Sequence, residues 1–173
     1  MQNFLQLASD RYSVRKFTDK EVEQALIDKI VEAGIKAPTA VNFQPVKIWV
    51  AQNEDAKKKI CKSTPFSFVK QAPVIIVVGA NLKEGWVRQF DGKSFADIDA
   101  TIVATHMMLE IHDLGLGTTW IGHFDERILK EEFAEMRDYN LVAIFPVGYI
   151  AEDCEPAKTH SAHKERSEIV KDL

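Results

Sequence analysis

Cysteine is scarce: Cys61 and Cys154 are the only two in 173 residues, so at most one disulfide can form and a disulfide-stapled scaffold is excluded. That usage points to a reducing compartment. Long apolar runs are absent, which removes membrane-spanning helices from consideration. The N-terminus is polar and lacks the basic-then-apolar order of a secretory leader, so a cytoplasmic protein is expected. Positive charge is not in excess either. The formal net charge of −4 argues against general nucleic-acid binding, although a local basic patch can still hold a small anion. There is no internal repeat, low-complexity segment or linker. The 46% hydrophobic and 28% charged fractions are ordinary for a globular chain, and the length suffices for one core, so residues 1–173 are expected to form a single domain.

Familiar nucleotide and metal motifs are missing as well. Gly115 and Gly117 are not followed by the Gly-Lys-Ser/Thr of a phosphate loop, and no dinucleotide-binding fingerprint occurs. His160 and His163 have H-x-x-H spacing but no further ligand close in sequence, as a zinc site requires. His106 and His112 are six apart on one predicted helix and do not share a face at i,i+4 spacing. Neither cysteine has an activating pattern around it. Asp97 and Asp99 read as charges at a helix start. Lys57 to Lys59 read as a solvated helix face.

What is present begins with Arg11-Tyr12-Ser13-Val14-Arg15-Lys16-Phe17. Two guanidinium groups and a hydroxyl in so short a span suit a compact anion such as phosphate; the alternative is a solvated basic turn. Before it, residues 3–9 predict a short helix. After it, Thr18 and Glu21 have capping-box spacing, and Val22, Leu26, Ile27, Ile30 and Val31 follow at helical period. This helix is expected to end near Gly34, ahead of Pro38. Residues 37–45 form a proline-bounded loop offering backbone donors, a hydroxyl and two amides. Residues 46–51 predict a strand, and Asn53 starts a helix through Ile60. The β-branched run 74–78 predicts a strand buried on both faces. Residues 85–92 predict a loop. Ser94 and Asp97 again have capping-box spacing, ahead of a helix through Leu114 that is apolar over much of its circumference. A strand over 118–121, a helix from Asp125 through Met136 and a strand over 141–147 follow. Pro146 places that last strand at an edge or near its end. Beyond Tyr149 the chain is polar and is expected to be extended.

Four motifs, in order along the chain, resemble those of the nitroreductase-like FMN-dependent oxidoreductases. Arg11 to Phe17 resembles R-x-S-x-R/K-x-F/Y. Ala37-Pro38-Thr39-Ala40-Val41-Asn42-Phe43-Gln44-Pro45 resembles A-P-S-x-x-N-x-Q-P. Leu114 to Gly122 resembles L-G-L-G-T-x-W-I-G, and Lys164-Glu165-Arg166 resembles K-x-R. The resemblance implies an α+β fold, a mainly antiparallel central sheet flanked by helices. It also implies an intertwined homodimer with FMN at the subunit interface and a tail, residues 150–173, that reaches across the partner subunit. Arg11 and Ser13 would bind the FMN phosphate with the backbone of Tyr12, and Lys164 and Arg166 would complete that site. An extended tail would turn both of these cations to one side. Arg15 would lie near the pyrimidine edge of the ring. Pro38, Thr39, Ala40, Asn42 and Gln44 would touch the ring and ribityl chain from the other subunit. Ile121, Gly122 and His123 would lie against the ring face or its N5 edge.

The implied reaction carries a hydride from NADH or NADPH through flavin N5 to a nitroaromatic, a quinone or a similar small-molecule acceptor, with no nucleic acid and no membrane involved. The alternatives are another flavin reaction on the same fold, such as reductive dehalogenation, or a non-catalytic flavin-binding module. Val46 stands where the family often has Trp, and Thr39 where serine is common. Residues 82–93 are expected to contribute a substrate lid, with Trp86 and Phe90 as its apolar contacts.

Overall fold

The computed structural model describes residues 3–173. Four strands form one antiparallel sheet in the order β1 (Val46–Ala51), β2 (Val74–Ala80), β4 (Asn140–Gly148), β3 (Gly117–Thr118). The pairing places Val46 opposite Ala80, Val74 opposite Val147, and Gly117 opposite Gly148. This is the α+β architecture expected.

β2 shows why the sheet is central. Every one of its residues is buried, and its side chains alternate between two apolar layers. Val74, Ile76 and Val78 face a cluster built with α2 (Gln24–Ile35) and α4 (Ala96–Asp113). Ile75 and Val77 face Ile60, Val69, Leu129 and Met136 on the other side. Those residues come from α3 (Glu54–Cys61), α5 (Glu126–Glu132) and two 3-10 turns. A continuous β-branched run suits a strand covered on both faces. Among the described residues, no helix is long and apolar enough to cross a membrane.

The caps are local chemistry. Asn3 accepts from the Leu5 amide at 3.0 Å ahead of α1 (Phe4–Asp10), and Asn53 accepts from the Ala56 amide at 2.8 Å ahead of α3. Glu54 and Asp55 in the first turn of α3, with Lys58 and Lys59 in its last, complement its dipole. α4 ends on Gly115 at φ +76°, where the Leu116 amide reaches back to Ile111 O and that of Gly115 to His112 O, the double bond pattern of a glycine-stopped helix.

Several local expectations yield to packing. α2 starts at Gln24 with Glu23 as its N-cap, not at the Thr18 box. The Thr18 amide is committed to Tyr149 O at 2.9 Å, and Phe17 bridges Ile150, so the chain is still strand-like there. Ser94 and Asp97 form no reciprocal cap; the Asp97 carboxylate accepts from Asn140 instead. The α5 helix stops at Phe133, and a separate 3-10 turn carries Met136 into the core. The Lys57 side chain is only 11% exposed and pairs with Glu54 at 2.6 Å, so one of the three lysines is not on a wet face. β4 is an interior strand, yet Pro146 is tolerated. Ile144 exchanges both backbone bonds with Ile121 on the β3 side, so Pro146, two residues on, turns its missing donor to that same side, past the end of β3.

The tail is not extended throughout. Turns interrupt it at 152–153 and 158–161, and α6 (Arg166–Ile169) forms a single helical turn under a Glu165–Glu168 capping box. Its first part docks on its own chain: the Ala151 amide bonds Lys16 O, the Tyr12 hydroxyl donates to Cys154 O, and His160 Nε2 lies 3.0 Å from Ser9 O. From residue 161 onward every residue is exposed.

Candidate functional site

The basic stretch runs alongside β3. The Val14 amide donates to Thr118 O at 2.9 Å, Ser13 bridges Thr118 in parallel, and Val14 and Phe17 are buried beneath. Alternation along this extended segment sends Val14 inward and leaves Ser13 and Arg15 on the other side. Gly117 makes the approach possible. A Cβ there would stand 2.7 Å from Val14 Cγ1 and 2.8 Å from Ile150 Cγ1. The third motif thus has a physical reason for this glycine.

Of the three cations in the stretch, Lys16 is neutralised by Asp153 at 2.6 Å, whereas the two arginines are not. Neither Arg11 nor Arg15 pairs with a carboxylate among the described residues; Arg15 only donates to Ser13 O at 3.1 Å. Nearby, the Thr118 Oγ1 is buried without a hydrogen-bond partner among the described residues. Burial pushes the imidazole of His112, at the end of α4, below its ordinary range, and the charge of Arg11 adds to that shift against Asp10 and Asp113. Burial likewise pushes the Cys61 thiol up, which keeps it in its unreactive protonated form.

The loop of residues 39–44 lies elsewhere. Val41, Asn42 and Gln44 all have left-handed backbones, with φ of 47°, 59° and 53°. Such a run is costly for residues with side chains, most of all for the β-branched Val41. Short bonds hold it: Thr39 Oγ1 accepts from the Gln44 amide at 3.0 Å, and Asn42 Oδ1 from Gln44 Nε2 at 2.9 Å. Its outer end is fixed by the Asn81 amide on Pro45 O. Pro38, Asn42 and Gln44 are exposed, while Thr39 and Ala40 are half-buried. Behind the loop is a mainly apolar cavity of about 280 Å³, lined by Gly34, Ala37, Thr39, Gln44, Val46 and Ile48.

One further residue of this region was not singled out by its sequence signature. Asp99, only 1% exposed, accepts from the Ala40 amide at 2.8 Å. It is in helical phase with Ala96, Ala100, Val103, Met107 and Ile111, all buried. A carboxylate interrupting an otherwise apolar stripe is the signal that marks it, where proximity to a helix start suggested only a charge.

The third group is Ile121, Gly122 and His123. Ile121 is buried and bridged to Ile144, whereas Gly122 and His123 are exposed. A Cβ on Gly122 would meet nothing nearer than Trp120 Nε1 at 4.0 Å, so the chain's own packing does not demand a glycine. Both residues line an open cleft with Ser63, Pro65 and Arg127. In the 82–93 loop, Trp86 packs edge-on against Phe95 at 5.0 Å and belongs to the loop's own base, not to a free lid. Phe90 is 98% exposed at the tip.

The predicted residues therefore fall into separate places. Ala40 is held at Asp99, whereas Arg11 follows directly on α1, whose Phe4 and Leu7 share a groove with Glu110 and Asp113, eleven and fourteen positions further along α4. At 1.5 Å per residue that is about 16–21 Å along the helix. Lys164 and Arg166 are exposed in the tail, and α6 begins at Arg166, so the two-residue alternation of an extended strand does not carry across them. Arg166 is 3.9 Å from Asp172.

An antiparallel sheet between helical layers, a clamped basic segment on its edge strand and a strained amide-rich loop define a class, and comparison with known proteins agrees. The chain matches the Nitroreductase family over residues 8–65 and 62–149, and it belongs to that family. A Clostridium difficile 630 nitroreductase family protein of known crystal structure superposes with a TM-score of 0.89 at 34% identity, covering 98% of each chain. A Methanothermobacter thermautotrophicus protein is 31% identical over 159 residues, 86% of this chain and 78% of its own. The FMN reductase (NAD(P)H) of Bacillus subtilis is 29% identical over 136 residues, 70% of this chain but 55% of its own length.

Proposed function

We propose that this chain is an NAD(P)H-dependent FMN oxidoreductase whose flavin site is shared between two copies of the chain. The observation that carries the reading is the clamped basic segment: Val14 and Ser13 fix it to Thr118, yet among the described residues Arg11 and Arg15 have no carboxylate partner. Cations held in place and not neutralised are a ready anion site.

The residues fit FMN by their chemistry. Arg11, the Ser13 hydroxyl and the Tyr12 backbone would hold the phosphate, helped by Lys164 and Arg166 from the tail. Arg15 would supply a fixed positive charge at the pyrimidine edge. Pro38, Thr39, Ala40, Asn42 and Gln44 offer uncharged donors and acceptors for the ring and ribityl chain. The open space at Gly122, beside Ile121 and His123, admits a flat ring close to backbone. FMN bound there supplies hydride acceptance from NADH or NADPH and electron delivery to a nitroaromatic, quinone or similar acceptor.

A site shared between two copies would let the basic segment of one chain meet the loop of the other, two parts that one chain keeps well apart along α4. It is supported by apolar side chains without cover: Phe4, Leu5, Ile35, Val41 and Phe43 are each more than half exposed. The exposed tail from residue 161 would then lie on the partner.

Purified protein supplemented with FMN should develop bound-flavin absorbance. Anaerobic mixing with NADH or NADPH should bleach it, and a panel of nitroaromatic, quinone and halogenated acceptors should restore it selectively. Absence of flavin binding would refute the proposal; binding without bleaching by either nicotinamide would leave a flavin-binding module.

A further inference from the structure

We infer that Asp99 is a positioning residue for the cofactor loop, acting on the flavin through the Ala40 amide and not by contact; the inference rests on the FMN reading above. Three observations converge. Asp99 is 1% exposed on the core face of α4, where a carboxylate is costly unless bonded. Its Oδ1 accepts from Ala40 N–H at 2.8 Å, while its Oδ2 is buried with no partner among the described residues. Ala40 opens the short 3-10 turn that leads directly into left-handed Val41 and Asn42.

The physical argument is one of asymmetry. Ala40 N–H is the one protein donor that Asp99 has among the described residues. Release of the loop would leave the whole carboxylate buried and unpaired, so the bond is held far more firmly than an exposed one. A firm anchor is what the next residues need, because the Val41–Gln44 backbone would otherwise relax out of the left-handed region. Thr39, Asn42 and Gln44 are thereby presented in one fixed arrangement, and a loop already ordered costs the ligand less on binding. The rigid α4 thus sets the position of the neutral, amide-rich side of the site.

The test compares FMN affinity, read by quenching of flavin fluorescence, in wild type and three variants, with circular dichroism of each apo-protein. Asp99→Ala is expected to weaken FMN binding about tenfold or more, the order of a charged hydrogen bond. Asp99→Asn keeps the Oδ1 acceptor and should stay within about threefold of wild type on the same scale. Ala40→Pro removes the donor from the loop side and puts Cδ where the amide hydrogen met Asp99 Oδ1, so it displaces the turn beside Asp99 and is accommodated only where Asp99→Ala has cleared that space. It should weaken binding by a similar factor, and in combination with Asp99→Ala it should add little, since both remove one bond. Should Asp99→Ala fail to fold, Ala40→Pro and Asp99→Asn carry the test. Wild-type affinity in Asp99→Ala or in Ala40→Pro, or full additivity of the pair, would overturn the inference. Failure of wild type itself to bind FMN would refute the underlying reading instead.

Discussion

Arg11 and Arg15 illustrate how neighbouring residues of one type acquire different tasks. Arg11 is the C-cap of α1 and half-buried, whereas Arg15 is exposed two residues beyond the Ser13 bridge. On the proposed site, Arg11→Ala should chiefly weaken FMN retention, measured by equilibrium titration. Arg15→Ala should chiefly slow flavin reduction, measured by anaerobic stopped flow on refilled protein. Equal FMN loss with normal reduction in both would contradict this division. Val41 offers a stability test at the same scale. It is 61% exposed with φ 47°, so its side chain contributes little packing while its backbone is strained. Val41→Gly should raise apo-protein stability by about 1 kcal/mol in urea denaturation, because glycine adopts this backbone without penalty. The same change should not improve FMN affinity, since a freer loop is less organised for a ligand.

At the level of elements, the deciding feature is the contact between the basic segment and β3. Gly117 leaves no room for a side chain there, with buried Val14 and half-buried Ile150 each within 3 Å of where a Cβ would stand. Gly117→Ala should lower stability by about 1–3 kcal/mol, the cost of overpacking a well-filled site. The thermal midpoint of the apo-protein checks this, and FMN affinity should fall with it because Ser13 and Arg15 are displaced. Element identity was largely legible in sequence: the 3.6-residue period of α2 and α4 and the β-branched run of β2 each report burial on defined faces. Boundaries were not. Thr18 and Glu21 have the spacing of a cap, but the Thr18 amide was taken by Tyr149, a partner 131 positions away.

For the whole molecule, the tail divides into two parts. Tyr12, Lys16 and Ser9 bind residues 151–160 to the body, whereas the hydrogen bonds of residues 161–173 stay within the tail. Deleting 161–173 should therefore leave the apo-protein's unfolding free energy, measured by urea denaturation, within about 0.5 kcal/mol of the full chain, as for surface changes generally. It should reduce FMN affinity and the share of dimer seen by sedimentation, because Lys164 and Arg166 are lost with it. Unchanged affinity and unchanged dimer would remove the tail from the site.

By itself the sequence determined the class of fold, the family and the four motif segments, because those depend on local periodicity, on turn chemistry and on short runs of donors and charges. It did not determine which motifs meet. The α1 end that leads into Arg11 and the loop that holds Ala40 are brought to different parts of α4 only by the packing of the chain around that helix. Nor did it reveal Asp99, whose role arises from burial against an amide 59 residues away. A carboxylate at a helix start looks alike in sequence whether it faces water or a loop. Tertiary structure decides between these, since the cost of burying a charge is paid only where the surrounding elements exclude water.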